Sequence, residues 1–141
     1  MKHVFISYSR QNLTFAERLA RDLDDAGFDV WLDVRQIKGG EAWQEAIFKA
    51  INQTETVVVC LSPPAVESKW VRHEIVMARS QEKHIIPVMV EDAFDLMAQT
   101  DEIRQLLDVQ IINFADRYEL ALVELLYAMP SETIAFMRAI D

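Results

Sequence analysis

The feature that most constrains this fold is a regular alternation of short apolar runs with segments of helical period, from one end of the chain to the other. Several of the runs are apolar on both faces, which is typical of parallel strands covered by helices on both sides. Right-handed crossovers between such strands leave few topologies. The sequence therefore predicts an α/β domain with a flavodoxin-like, doubly wound, five-stranded parallel sheet of order 2-1-3-4-5 and helices on both faces.

The pattern also predicts where each element lies. The predicted strands are His3–Ser7, Phe28–Asp33, Thr56–Leu61, His84–Val90 and Val109–Asn113. The predicted helices are Leu13–Ala26, Trp43–Asn52, Ser68–Gln81, Ala93–Leu107 and Asp116–Met129, with a further helix start at Ser62-Pro63-Pro64. Gly27 is expected to end the first helix and Asp116 to cap the last. We expect residues 1–129 to form the domain, and 130–141 to be either a docked terminal helix or the start of a linker to a further domain.

Composition limits the classes of function. A chain of 141 residues, 51% hydrophobic, fits one domain with a substantial core. The net charge of -9 opposes binding to nucleic acid or to an anionic membrane, although Arg10, Arg35 and Lys38 are candidate cations for one phosphate pair. The apolar runs are too short to span a membrane, and the start lacks the hydrophobic stretch of a signal peptide. Cys60 is interpreted as a small buried hydrophobe, and the expected compartment is the cytoplasm.

The loops after Ser7, Asp33 and Leu61 are where chemistry is expected, because open parallel sheets bind ligands outside the carboxyl ends of their strands. No glycine follows the first strand and no Gly-Lys-Ser/Thr phosphate loop is present, which excludes two common nucleotide sites. A phosphorylated receiver domain needs an aspartate where this chain has Leu61-Ser62-Pro63. The histidines lack zinc spacing and Ser62 lacks a nucleophile elbow, so neither a metal centre nor a serine hydrolase is expected.

The constellation that remains is Trp70 and Glu74, in the segment SKWVRHE. Four residues apart, they share one face of a helix. No cation lies three or four residues to either side of Glu74, so this carboxylate stands on an apolar stripe. Glu124 has equally apolar neighbours, but Glu74 is closer to the predicted cleft. Periodicity alone favours a core tryptophan beside a solvated or tertiary-paired acid, and the alternative is a functional site.

Ordered blocks of the sequence resemble a TIR domain from about Lys2 to Met129. The blocks are HVFISYS, FDVWLD, VVVCLSP, SKWVRHEIVMA and IIPV, with a Gly-containing loop followed by Trp43 and Ala46-Ile47 after the second of them. The WVRHE segment is similar to the catalytic segment of the TIR domains that cleave NAD⁺, among them the animal axon-degeneration enzyme and bacterial antiphage effectors.

The resemblance implies a role for particular residues. Glu74 matches the catalytic glutamate of those enzymes. Trp70 matches the aromatic residue four positions earlier, and Trp43 the aromatic against the nicotinamide. The residues that the resemblance assigns to substrate binding are Tyr8, Ser9, Arg10, Lys38, Trp43 and Trp70.

The function that the resemblance implies is an NAD⁺ glycohydrolase. It would release nicotinamide and ADP-ribose, or a cyclic ADP-ribose, with NAD⁺ as a substrate and with no cofactor. Activation by self-association into a homo-oligomer or filament, in immune or cell-death signalling, is part of what it implies. Two alternatives remain: a non-enzymatic module that binds other TIR domains, and a nucleotide sensor or effector that interferes with host TIR signalling.

Overall fold

The computed structural model describes residues 3–32 and 43–129. The strands are β1 (His3–Ser7), β2 (Asp29–Leu32), β3 (Thr56–Leu61), β4 (His84–Met89) and β5 (Ile112–Asn113). The helices are α1 (Leu13–Asp25), α2 (Trp43–Asn52), α3 (Pro63–Glu67), α4 (Lys69–Ser80), α5 (Phe94–Ala98), α6 (Asp101–Arg104) and α7 (Tyr118–Ala128). Turns of 3-10 helix lie at Arg10–Asn12 and Gln105–Asp108.

The described strands form one parallel sheet of order β2-β1-β3-β4-β5, so the predicted topology is confirmed. β1 is bonded on both sides: Ile6 lies opposite Leu32 of β2 and Val58 of β3. β3 is buried along its whole length, as its continuous apolar run predicts.

The sheet separates two hydrophobic cores. One lies beneath α2, α3 and α4 and includes Phe5, Val57 and Val59. The other lies beneath α1 and α7 and includes Val4, Ile6 and Val58. Because successive side chains of a strand point to opposite faces, β1 divides its residues between the two cores. Ser7, two residues after Phe5, therefore projects toward α4.

Local signals end α1 and begin α4, and Gly27 terminates α1 as the sequence predicts. Gly27 has φ +97, the left-handed region that glycine enters without a steric penalty. The Phe28 and Gly27 amides donate to the carbonyls of Leu23 and Asp24, which completes a Schellman motif. At the start of α4, the Ser68 hydroxyl accepts the N–H of Val71 at 3.3 Å.

The prediction from the sequence is less accurate for the elements that follow β4. The helix predicted over 93–107 is divided into α5 and α6, because Thr100 has extended backbone and bonds the Leu96 carbonyl through its hydroxyl at 2.8 Å. The last strand is limited to Ile112–Asn113. Asp116 is not the cap of α7: it adopts φ +60 in the preceding turn, a conformation that aspartate tolerates, and Arg117 takes the N-cap position.

The predictions that fall outside the described residues are those for the loop after the second strand, with the candidate cations Arg35 and Lys38, and the tail or linker at 130–141. No helix within residues 3–32 and 43–129 is both long enough and apolar enough to cross a membrane.

Candidate functional site

The centre of the candidate site is a buried hydrogen bond between the end of β1 and the second turn of α4. The Ser7 hydroxyl donates to Oε1 of Glu74 at 2.6 Å. Ser7 is 0% exposed and Glu74 is 1% exposed, and Oε2 of the same carboxylate is also buried. The structure thus holds an acidic side chain inside the protein at the carboxyl edge of the sheet, where open α/β sheets bind ligands.

Glu74 faces inward because of its position in the period of α4. Val71, Glu74, Ile75 and Ala78 follow the i, i+3, i+4, i+7 spacing of one helical face, and all four are buried. Three of them are apolar, and they pack into the core beneath α2, α3 and α4. The predicted apolar stripe is confirmed. Of the two structural interpretations of Glu74, the solvated acid is wrong, whereas a tertiary partner is present in Ser7.

Two arginines of α4 bond carbonyls of neighbouring helices. Arg72 donates to the Val66 carbonyl at 3.0 Å, and Arg79 donates to the Glu102 carbonyl at 2.6 Å. Desolvation by burial lowers the pKa of Arg79. These contacts fix α4 against the helices beside it, and so they fix the helix that carries Glu74.

Glu124, the acid that the sequence could not separate from Glu74 by its neighbours, has a different environment. Its carboxylate accepts from Arg117 at 2.5 Å, and the side chain is 41% exposed. Arg117 lies seven residues away, at the cap of α7, so a search of one helical turn misses it. Glu124 is a surface ion pair, whereas Glu74 is a core carboxylate.

The loop after β1 carries three predicted site residues in three different settings. Ser9 is buried, and its hydroxyl accepts the N–H of Gln11 at 3.3 Å, which caps the first 3-10 turn. Arg10 begins that turn and is exposed. Three residues of chain span at most about 11 Å, so Arg10 stays near Ser7. The Tyr8 ring belongs to the core beneath α1 and α7, which lies on the sheet face opposite the core that contains the apolar neighbours of Glu74.

The two predicted tryptophans lie at the starts of neighbouring helices. Trp70 is the second residue of α4, one turn before Glu74, and is partly exposed. Trp43 is the first residue of α2. Both helices lie on the same face and lead into strands of one parallel sheet, so they run in the same direction, and a 2.9 Å bond joins Asn52 to Gln81 at their far ends. Both helices therefore begin at one edge of the domain. The side chain of Trp43 and the whole of Lys38 lie outside the described part of the structure.

Ser7 is the residue of this site that the sequence did not identify. Its only signal is a hydroxyl at the end of an otherwise apolar strand, on the face that Phe5 also occupies. That signal predicts burial, but it does not name the partner, which is 67 residues away in the sequence.

Chemically, the arrangement offers one oriented carboxylate. Such a group stabilises a developing positive charge or accepts a proton. Within residues 3–32 and 43–129, no group of His, Cys, Asp and Glu side chains has an arrangement suited to a metal ion.

A cavity of about 280 Å³ lies at the opposite end of β4. It is lined by His84, Ile85, Pro87, Val109, Glu124 and Ala128, among others. Glu74 and Ser7 do not line this cavity, and it lies away from the carboxyl edge of the sheet, so we do not place the chemistry there.

Comparison with known proteins identifies the family. The family model described as the TIR domain matches residues 4–126. The chain is a TIR domain. This assignment agrees with the resemblance found in the sequence blocks and with the strand order of the sheet.

Relatives of this TIR domain include two curated proteins. The domain is 32% identical over 101 residues to "NAD(+) hydrolase sarm1" of Drosophila melanogaster, an alignment that covers 65% of this chain and 7% of the relative. It is 28% identical over 92 residues to "2' cyclic ADP-D-ribose synthase BtTIR" of Bacteroides thetaiotaomicron, covering 60% of this chain and 31% of the relative. The alignments thus span less than a third of either relative's length.

Solved TIR domains share the fold. The TIR domains of the activated Roq1 resistosome, which recognises the pathogen effector XopQ, superpose on this chain with a TM-score of 0.73. The superposition covers 91% of this chain and 99% of that one, at 16% identity. At that identity the likeness establishes the fold.

Proposed function

We propose that this TIR domain cleaves the bond between nicotinamide and ribose in NAD⁺, with Glu74 as the catalytic carboxylate. The observation that carries the proposal is the burial of Glu74 at the carboxyl edge of the sheet, with its Oε1 held by Ser7 at 2.6 Å. Buried acids in such positions are enriched at functional sites, because burying a carboxylate has a free-energy cost that function can justify. The names of the two curated relatives, a hydrolase of NAD⁺ and a cyclic ADP-ribose synthase, support the same chemistry.

The proposed reaction suits a site with one carboxylate. Nicotinamide in NAD⁺ is a cationic leaving group, so no general acid has to protonate it. The C–N bond breaks, its electron pair leaves with neutral nicotinamide, and the ribose carbon acquires the oxocarbenium character of glycoside cleavage. The Glu74 carboxylate stabilises that charge. Attack by water then forms ADP-ribose and releases a proton, whereas attack by an adenine nitrogen of the same molecule forms a cyclic product.

The substrate-binding residues of the proposal surround the start of α4 and the loop after β1. Trp70 and Trp43 would stack on the cationic nicotinamide ring, since aromatic faces attract cations. Arg10 and Lys38 would neutralise the two phosphates of NAD⁺. Ser9 and the backbone of Tyr8 would line the pocket, because the Tyr8 ring is in the core.

Regulation by assembly forms part of the proposal. Glu74 is 1% exposed in the single domain, so NAD⁺ reaches it only after neighbouring groups move. Association with a second copy of the domain, as a homo-oligomer or filament, would supply that movement. We place this activity in cytoplasmic immune or cell-death signalling, including antiphage defence.

The test uses the domain at high concentration and clustered on beads, incubated with NAD⁺. Chromatography with mass detection follows nicotinamide, ADP-ribose and cyclic products. Glu74→Gln is the test variant, since it keeps the side-chain volume and removes the charge. Glu124→Gln is the matched control, because it makes the same change at a surface glutamate with similar apolar neighbours.

We expect turnover by the parent and by Glu124→Gln, and a loss of at least about 100-fold with Glu74→Gln, the scale seen when one charge-stabilising group is removed. Equal turnover by the parent and by Glu74→Gln would refute the assignment of Glu74. No turnover by the clustered parent would favour a non-enzymatic TIR interaction module or a nucleotide sensor.

A further inference from the structure

We propose that Ser7 is a positioning residue, whose hydroxyl holds the Glu74 carboxylate in the orientation that NAD⁺ cleavage requires. The inference rests on the proposed function of Glu74. Ser7 itself is not assigned any contact with the substrate.

The geometry of the contact supports this role. The Oγ–Oε1 distance of 2.6 Å lies at the short end of the range for hydrogen bonds between oxygens, so the two side chains are in close, directed contact. The Ser7 hydroxyl is the donor and Oε1 of Glu74 is the acceptor. Both residues are buried, and bulk water therefore does not compete for either partner.

Ser7 is itself held rigidly. It is the last residue of β1, and it lies opposite Val59 in the ladder that joins β1 to β3. A serine side chain has one heavy-atom torsion, so a fixed backbone leaves few positions for its oxygen. The strand thus presents a donor whose location is set by the sheet.

Glu74, in contrast, reaches its carboxylate through three torsions. The stem leaves α4 between the buried neighbours Val71, Ile75 and Ala78, which confine its base. Packing of the stem does not by itself fix the rotation of the terminal carboxylate, because that torsion is broad. The bond from Ser7 fixes one carboxylate oxygen, and thereby directs the other.

Loss of the Ser7 hydroxyl should affect the rate of the reaction and not the affinity for the substrate. Loss of orientation lowers the rate of the chemical step, whereas contacts to the phosphates and to the nicotinamide ring are unchanged. We expect Ser7→Ala to lower kcat about 10-fold to 100-fold and to leave KM within about twofold, the scale for a misplaced catalytic group.

The experiment measures kcat and KM of the clustered domain with NAD⁺ for the parent and three variants. Ser7→Ala removes the donor without adding volume. Ser7→Thr keeps a hydroxyl at the same position and is the conservative rescue. Thr54→Val is the matched control: it removes another buried hydroxyl, which bonds the Ile51 carbonyl at 2.8 Å just before β3, at the opposite edge of the sheet from Ser7.

The expected result is a fall in kcat for Ser7→Ala, recovery of kcat in Ser7→Thr, and parent-like values for Thr54→Val. Should Ser7→Thr be too crowded to fold, Ser7→Cys, with its weaker donor, is expected to fall between alanine and serine. A parent-like kcat for Ser7→Ala, while Glu74→Gln is inactive, overturns the role of Ser7 alone. A rise in KM at constant kcat overturns it too, since it makes Ser7 a substrate contact. An inactive parent, or an active Glu74→Gln, overturns the proposed function and this inference together.

Discussion

Replacing Glu74 by glutamine and by alanine should separate the chemistry of this side chain from its packing. Both replacements are neutral, so the cost of burying the charge is absent from both and cancels when the two are compared. Glutamine keeps the volume and leaves a carbonyl oxygen for the Ser7 hydroxyl. Alanine leaves a cavity at a position that is 1% exposed, and it leaves that hydroxyl without its acceptor.

The size of the difference follows from those two losses. Truncation of a buried side chain of this length to alanine costs about 2–5 kcal/mol. In the alanine variant, a buried donor without a partner costs about 1–3 kcal/mol. In the glutamine variant, desolvation of the amide costs a similar amount, so these two terms cancel in the difference between the variants. We therefore expect Glu74→Ala to be less stable than Glu74→Gln by about 3 kcal/mol. With an unfolding entropy of about 0.3 kcal/mol/K for a chain of this length, Tm should differ by about 10 °C.

Thermal unfolding followed by circular dichroism measures that difference, and the NAD⁺ assay is run on the same samples. We expect both variants to be inactive and only Glu74→Ala to be strongly destabilised, which makes the glutamine variant the better test of mechanism. Equal melting temperatures for the two variants would falsify the argument from burial. Retained turnover in the stable glutamine variant would count against the carboxylate as the catalytic group.

Three further predictions concern the framework. Burial raises the pKa of Cys60, so we expect no reaction with a thiol reagent at pH 8 in the folded domain and full reaction in denaturing urea; rapid labelling of the folded protein would contradict this. Ser68→Ala removes the cap of α4 and should lower the free energy of unfolding in urea by about 1 kcal/mol; an unchanged midpoint would mean that the cap contributes nothing. Gly27→Ala places a side chain at φ +97, where a Cβ meets nothing within 4 Å, so only the backbone conformation should be strained. We expect the free energy of unfolding in urea to fall by about 1–2 kcal/mol, and to fall less for Gly27→Asn.

Much of the fold was predictable, because its signals are local and repeated. Strands buried on both faces read as continuous apolar runs, and the bounds of β3 and α2 agree with the predicted ranges. The prediction was weakest after β4, where Thr100 and Asp116 change the course of the backbone. In both places a polar side chain or a left-handed residue overrides a helical pattern, and the pattern alone does not reveal it.

The candidate site was predictable only as far as one helix. Spacing predicted that Trp70 and Glu74 share a face, and the apolar neighbours of Glu74 predicted that the face is buried. Neither pattern predicts that Ser7 is the partner of Glu74, because a contact between residues 67 apart in the sequence depends on how β1 is placed against α4. For the same reason, the apolar neighbours of Glu74 and Glu124 in the sequence do not distinguish the two residues, whereas their partners in the structure do.

The nature of those partners bears on the choice between an enzyme and an interaction module. Arg117 gives Glu124 a compensating positive charge at the surface, where water also solvates the pair. Ser7 donates a hydrogen bond to Glu74 inside the protein, at 2.6 Å and away from bulk water. Burial of a carboxylate in a protein core costs free energy that burial of an apolar side chain does not, and a domain that worked only by surface docking has no use for a carboxylate at position 74. In the proposed NAD⁺ cleavage an oriented carboxylate has such a use, because it stabilises the cationic transition state.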